Sequence, residues 1–237
     1  MQLRDTWYNT RGIITAIIAN PNENWTDMFS LGQLESKFWI VEELEALNAL
    51  LPSSTAANVN LGTVFICGGW FGSLANMIFT SNVQVDKIRS FDIDPSCLEI
   101  AEAMNRDYVI DNWKFKAVTE DMYNINYTGH TYNTTRCTSP FAYDSTLVEC
   151  HDVPNTIINT SCEHIEDFDA WYNSIPAGKL VILQNNNYFE LEEHINCVKD
   201  IEEFIKQCPI NNLLYGGTIE LNKMEGGYNR FMLIGIK

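Results

Sequence analysis

Basic residues are scarce: the 237-residue chain has 15 Lys and Arg against 31 Asp and Glu, a formal net charge of −16 at pH 7. The acidic excess is spread along the chain. Such a surface repels phosphate backbones, so nucleic acid is not an expected partner and a small or cationic one suits the charge better. Long apolar runs are lacking too. None approaches the roughly 18–20 residues needed to cross a bilayer, so no membrane partner is expected. The opening Met1-Gln-Leu-Arg-Asp-Thr-Trp7 has no basic segment leading into an apolar stretch, and no secretory leader is expected from it. A disulfide framework is missing as well. The cysteines are seven, at positions 67, 97, 137, 150, 162, 197 and 208, without a Cys-x-x-Cys pair, which reads as reduced, cytoplasmic usage. Possible metal ligands occur at Cys150-His151, Cys162 with His164, and His194-x-x-Cys197, but their spacing matches no closed zinc pattern, so no metal is expected. Internal repeats and low-complexity tracts are also absent.

What is present is enough apolar material, 46% of residues, to fill one core. Residues 33–51 place Leu34, Phe38, Val41, Leu44 and Leu47 or Leu51 on one helical stripe that Pro52 stops. Apolar runs at 63–67, 88–93, 156–159, 179–184, 213–221 and 230–236 read as strands, and the periodic segments between most of them read as helices. That alternation implies a parallel α/β sheet with crossover helices. Residues 126–154, rich in Asn, Thr, Tyr and Gly and without a sustained period, read as a long loop excursion over the site, a lid or a selector.

Strand ends carry the chemistry. The first run breaks into Gly68-Gly69-Trp70-Phe71-Gly72 before turning apolar again, a strand–turn–helix pattern in which glycines let backbone N–H groups approach a ligand. In Phe91-Asp92-Ile93-Asp94-Pro95, Asp94 suits a helix N-cap. Asp92 is then left free, 24 residues after Gly68, near the separation at which an acidic residue meets a ribose in nucleotide-binding βαβ units. Asp121 and Met122 close a third strand at the same rim, and Asn159 ends a fourth. Cys162-Glu163-His164 is the densest reactive cluster, with Glu163 or His164 able to serve as general base. Asn185, Asn186 and Tyr188 follow the fifth strand and offer polar contacts, with Tyr188 a further catalytic candidate. Gln33 and Lys37, one helical turn apart, can meet a substrate carboxylate.

With these residues in place the chain resembles the class I S-adenosylmethionine-dependent methyltransferases over roughly residues 60–237. The resemblance lies in Phe65-Ile-Cys-Gly68-Gly-Trp-Phe-Gly72, in Phe91-Asp92-Ile-Asp94, in Glu120-Asp121-Met122, in Asn155 to His164, and in a fifth strand over Lys179 to Gln184. A helix over about 191–207 and two closing strands, Leu213 to Leu221 and Arg230 to Lys237, complete it. Two positions depart from the family's acidic-x-Gly-x-Gly-x-Gly turn: Ile66 stands for the acidic residue and Trp70 for the middle glycine. The resemblance implies a Rossmann-like, mostly parallel sheet with helices on both faces and an antiparallel final strand. It implies a single domain, with 1–58 as a helical cap and 59–237 as the core. The implied cofactor is S-adenosyl-L-methionine, held by Cys67, Gly68, Gly69, Trp70, Gly72, Asp92, Ile93, Asp121, Met122 and Asn159. The implied activity is methyl transfer to an acceptor, more readily a small or cationic molecule than a nucleic acid. Phe91-Asp-Ile-Asp-Pro-Ser96 is also similar to the corresponding stretch of nicotianamine synthases, which implies aminocarboxypropyl transfer as an alternative; a noncatalytic cofactor-binding protein is a third.

Overall fold

The computed structural model describes residues 3–50, 60–110, 112–139, 142–221 and 227–237. Five short apolar strands, β1 (Thr63–Cys67), β2 (Lys87–Asp92), β3 (Phe115–Thr119), β6 (Thr156–Asn159) and β7 (Leu180–Asn186), run parallel in one sheet. Two longer strands, β8 (Asn212–Leu221) and β9 (Tyr228–Ile236), finish it in the order β3-β2-β1-β6-β7-β9-β8. The last strand inserts between β7 and β8 and is antiparallel to both. Strands β1, β6 and β7 are buried along their whole length, as two-sided cover requires.

Side chains of alternate parity feed two cores. On one face Val64, Ile66, Ile88 and Ile182 pack with α3 (Leu31–Leu50), α4 (Ser73–Thr80), α5 (Ser96–Met104) and α6 (Arg106–Ile110). On the other, Phe65, Phe91, Val181 and Leu183 pack with α7 (Phe168–Ser174) and α8 (Ile201–Gln207). An outer helix, α1 (Leu3–Ala19), lies on α5, where a Cβ on Gly12 would stand 2.7 Å from the Met104 carbonyl oxygen. A short α2 (Trp25–Met28), N-capped by Asn24, leads from α1 into α3.

Three expectations are corrected. Residues 126–154 are not a structureless loop: β4 (His130–Ser139) and β5 (Ala142–Asp152) form an antiparallel hairpin. It takes the place of a helix in the crossover from β3 to β6 and packs on the second core through Tyr132, with the ring of His130 edge-on to Phe91. Asp152 anchors its base. That carboxylate accepts hydrogen bonds from Arg89 Nε at 2.6 Å, the Tyr132 hydroxyl at 2.7 Å, and Lys87. Burial pushes the Asp152 carboxyl up, but the Arg89 guanidinium and the bonds from Lys87 and Tyr132 outweigh it and hold it below the usual value.

The helix expected over about 191–207 begins only at Ile201, where the Asp200 carboxylate accepts the Glu203 N–H. The third correction concerns α3, whose buried residues are Ser36, Lys37, Trp39, Ile40, Val41 and Leu44, while Phe38 is half exposed. The inner face also bonds the sheet: Gln184 Nε2 donates to the Ser36 carbonyl at 2.9 Å. Leu51 and Pro52 lie outside the described residues. Among the described residues no helix is long and apolar enough to cross a membrane.

Candidate active site

A cavity of about 540 Å³ opens at the carboxyl edge of the sheet, between the ends of β1, β2, β3 and β6 and the N-terminal helices α2 and α3. That is where open α/β sheets take ligands. One wall is the turn after β1. Gly68, Trp70 and Gly72 have φ of 65°, 47° and 75°, three left-handed residues at alternate positions. Trp70 holds this conformation against the steric preference of a bulky side chain. It is fixed from both sides: its N–H donates to Asp92 Oδ2 at 2.8 Å, and its ring stacks on Phe71 with centroids 4.8 Å apart. A Cβ on Gly69 would meet Ser90 Oγ at 1.9 Å and Ser90 Cβ at 3.1 Å, so the turn crosses β2 too closely for a side chain unless Ser90 shifts. A Cβ on Gly68 would meet nothing within 4 Å, leaving the backbone there open to a ligand.

The lining includes eight of the ten residues expected at a cofactor: Gly68, Gly69, Trp70, Asp92, Ile93, Asp121, Met122 and Asn159. Asp92 Oδ1 accepts the Asp94 N–H at 3.1 Å, so each of its oxygens has one backbone donor and keeps capacity for another. Asp94 accepts the Ser96 N–H at 2.8 Å, which holds its carboxyl below the usual range, while Pro95 occupies the cap position itself. Asp121 caps the short turn at Met122–Asn124 through the Tyr123 N–H. Ile93 is 71% exposed, an apolar surface at the rim. Cys67 and Gly72 are not in the lining. The Cys67 side chain alternates to the opposite face, where burial pushes its thiol up to about 12 beside the Tyr127 hydroxyl. A Cβ on Gly72 would press on Asn105 and Ala101.

On the other side Gln33 and Lys37 line the cavity together with Asp27. Lys37 is only 7% exposed and donates to the Gln33 side-chain oxygen. Burial lowers its amine to about 7; Arg230 adds to the effect and Asp27 opposes it.

The three expected catalytic residues separate. A 3₁₀ turn at Cys162–His164 sends the two neighbours to different places. His164 lines the cavity. Glu163 is buried, its Oε1 accepting from Asn186 Nδ2 at 2.7 Å and Arg230 Nη1 at 3.2 Å. Tyr188 lies outside the cavity, stacked on Tyr228. Asn185 and Asn186, expected at the substrate, are fully buried and spent on internal bonds, Asn185 Nδ2 to the Asn196 carbonyl and Asn186 Nδ2 to Glu163.

Arg230, which the sequence reading missed, ties this floor together by bonding Glu163, Gln184 and the Thr160 carbonyl. Asp27, Tyr123 and Glu166 are further lining residues without a motif to mark them, and Glu120, from the Glu120-Asp121-Met122 segment, lines it too.

No family model and no curated protein matches the sequence. Among solved structures the chain is similar to the N-methyltransferase NodS from Bradyrhizobium japonicum WM9 in complex with S-adenosyl-L-homocysteine, at 9% identity and TM-score 0.52, covering 95% of this chain and 98% of that one. It is also similar to a putative sarcosine dimethylglycine methyltransferase from Galdieria sulphuraria, at 10% identity and TM-score 0.53 over 86% of each chain. A third, the [4+2]-cyclase SpnF, has 8% identity and TM-score 0.54, covering 84% of this chain and 79% of that one. With the strand order above, the chain has the class I methyltransferase-like fold. The cyclase among these neighbours means that the fold alone does not fix the reaction.

Proposed function

We propose that the protein is an S-adenosylmethionine-dependent methyltransferase acting on a small or cationic acceptor. The observation that carries this reading is the turn with left-handed residues at 68, 70 and 72, its backbone open at Gly68 and tied to Asp92 across one cavity. The lining fits the group. Gly68 would offer open backbone to the amino acid end, with Gly69 beside it already bonded through its N–H to the Phe91 carbonyl; Asp92 would accept from the ribose hydroxyls, and Ile93, Asp121 and Met122 would border the adenine. Bound there, the sulfonium supplies a methyl already activated for transfer.

The chain's own work is then to seat the acceptor and take its proton. Lys37 is the residue suited to the second task, because an amine lowered to about 7 is substantially uncharged at neutral pH yet still basic. Gln33 fixes the Lys37 side chain, and His164 and Glu166 border the acceptor from the opposite wall. The carboxylates of Asp27, Glu120, Asp121 and Glu166 favour a cationic ligand over an anionic one.

The test is the nucleoside left behind. Protein incubated with S-adenosylmethionine and fractionated cell extract should release S-adenosylhomocysteine. Methylthioadenosine as the protein-dependent product would mean aminocarboxypropyl transfer instead, and no turnover over all fractions would favour a binding protein.

A further inference from the structure

Beside the cavity, Glu163, His164 and His194 each bring one potential ligand atom within 4.8 Å of the others. Three features make this more than proximity. His164 Nδ1 lies 2.9 Å from the Glu193 carbonyl oxygen and His194 Nδ1 lies 2.6 Å from the Tyr188 carbonyl oxygen. A carbonyl can only accept, so both rings carry a proton on Nδ1, and in the neutral ring Nε2 is then the lone pair free to bind a metal. Backbone carbonyls holding the far nitrogen are the usual support of metal-ligating histidines. The rings meet edge to face with centroids 4.7 Å apart, close enough for both to serve one centre.

The third feature is Glu163 itself. Its residue is 3% exposed and one oxygen is held by Asn186 and Arg230, but Oε2 is buried without a hydrogen-bond partner. A buried carboxylate oxygen left unpaired is costly and calls for an ion or water that completes it.

We propose that Glu163, His164 and His194 form a binding site for a divalent transition-metal ion in the wall of the cavity. Two imidazole nitrogens and one carboxylate oxygen suit zinc or cobalt, whereas magnesium and calcium take oxygen donors. A zinc ion at about 2.0–2.2 Å from each ligand holds them about 3.3 Å apart, so the side chains close in on binding. His164, which is exposed, and His194, which is partly so, have room to do this. Three protein ligands leave a coordination position open. Because His164 lines the cavity, that position can take an oxygen or nitrogen of the molecule held there. The ion's binding does not depend on the methyl-transfer reading.

The test uses full-length, untagged, chelator-stripped protein titrated with cobalt(II) chloride and followed by visible absorption, then challenged with zinc chloride. The expected result is one saturable cobalt per chain, displaced by zinc. His194→Ala and His164→Ala should each weaken it by more than the about 10–100-fold that loss of a supporting residue costs. Both variants keep every cysteine and the Glu163–Arg230 pair, and circular dichroism verifies that they fold. Absence of saturable binding, or binding that survives either histidine change within tenfold, as thiol-borne cobalt would, overturns the proposal.

Discussion

Lys37 shows how far one residue's meaning depends on where its helix is turned. A lysine four residues after a glutamine reads from the sequence as a pair that can meet a substrate carboxylate, yet the orientation of α3 takes its ammonium out of water. Desolvation disfavours the charged form, and Arg230 nearby works in the same direction. Asp27 beside Lys37, and Asp92, Glu120, Asp121, Tyr123, His164 and Glu166, are the other titratable groups that border this space. If Lys37 takes the acceptor's proton, kcat should rise as pH passes through about 7 and level off above it, since the active form is the neutral amine. Lys37→Met should remove that limb and slow turnover by about 10²–10⁴-fold, the usual contribution of a general base. A pH profile identical in wild type and variant contradicts the assignment.

At the level of elements, the hairpin β4–β5 is held by a buried ion pair at its base. Asp152→Ala leaves the Arg89 guanidinium, 5% exposed, without its carboxylate. Removing one partner of such a pair should cost about 3–5 kcal/mol, read as a lowered urea midpoint with unchanged slope. The pH sense follows from the depressed carboxyl: the Asp152 contribution is full above its unfolded value near 3.9 and is lost as pH falls through the lower folded value. An Asp152→Ala variant as stable as wild type at neutral pH speaks against the anchor.

This hairpin is also the element least legible in the sequence. Its inward residues are His130, Tyr132 and Thr134, a period of two written in polar side chains, which a search for apolar alternation passes over. By contrast β1 and β6 run where their apolar stretches do, because strands covered on both faces read as unbroken hydrophobic runs. The site was legible where backbone geometry demands particular residues, at Gly68, Gly69 and Asp92. It was hidden where long-range packing decides, as with Arg230 beneath the cavity and Glu163 drawn inward beside an outward His164. His194 lies thirty residues from His164, and only the fold brings their rings together.

For the molecule as a whole, the sheet and the N-terminal helices share the cavity: the strand ends supply Gly68, Asp92 and Asp121, while Asp27, Gln33 and Lys37 come from α2 and α3. Helices α2 and α3 therefore line the candidate site, and α3 is joined to the sheet by the bond from Gln184. The central claim is that this shared space holds an adenosyl cofactor with Asp92 on its ribose. Calorimetric titration of S-adenosylhomocysteine into wild type, Asp92→Ala and Asp94→Ala tests it most directly. Asp92 is bonded to the Gly-rich turn and lines the cavity, whereas Asp94 is exposed and engages the first turn of α5. The account predicts one site in wild type, affinity reduced about tenfold or more in Asp92→Ala, and affinity close to wild type in Asp94→Ala. Equal losses in the two folded variants, or no binding by wild type, would contradict it.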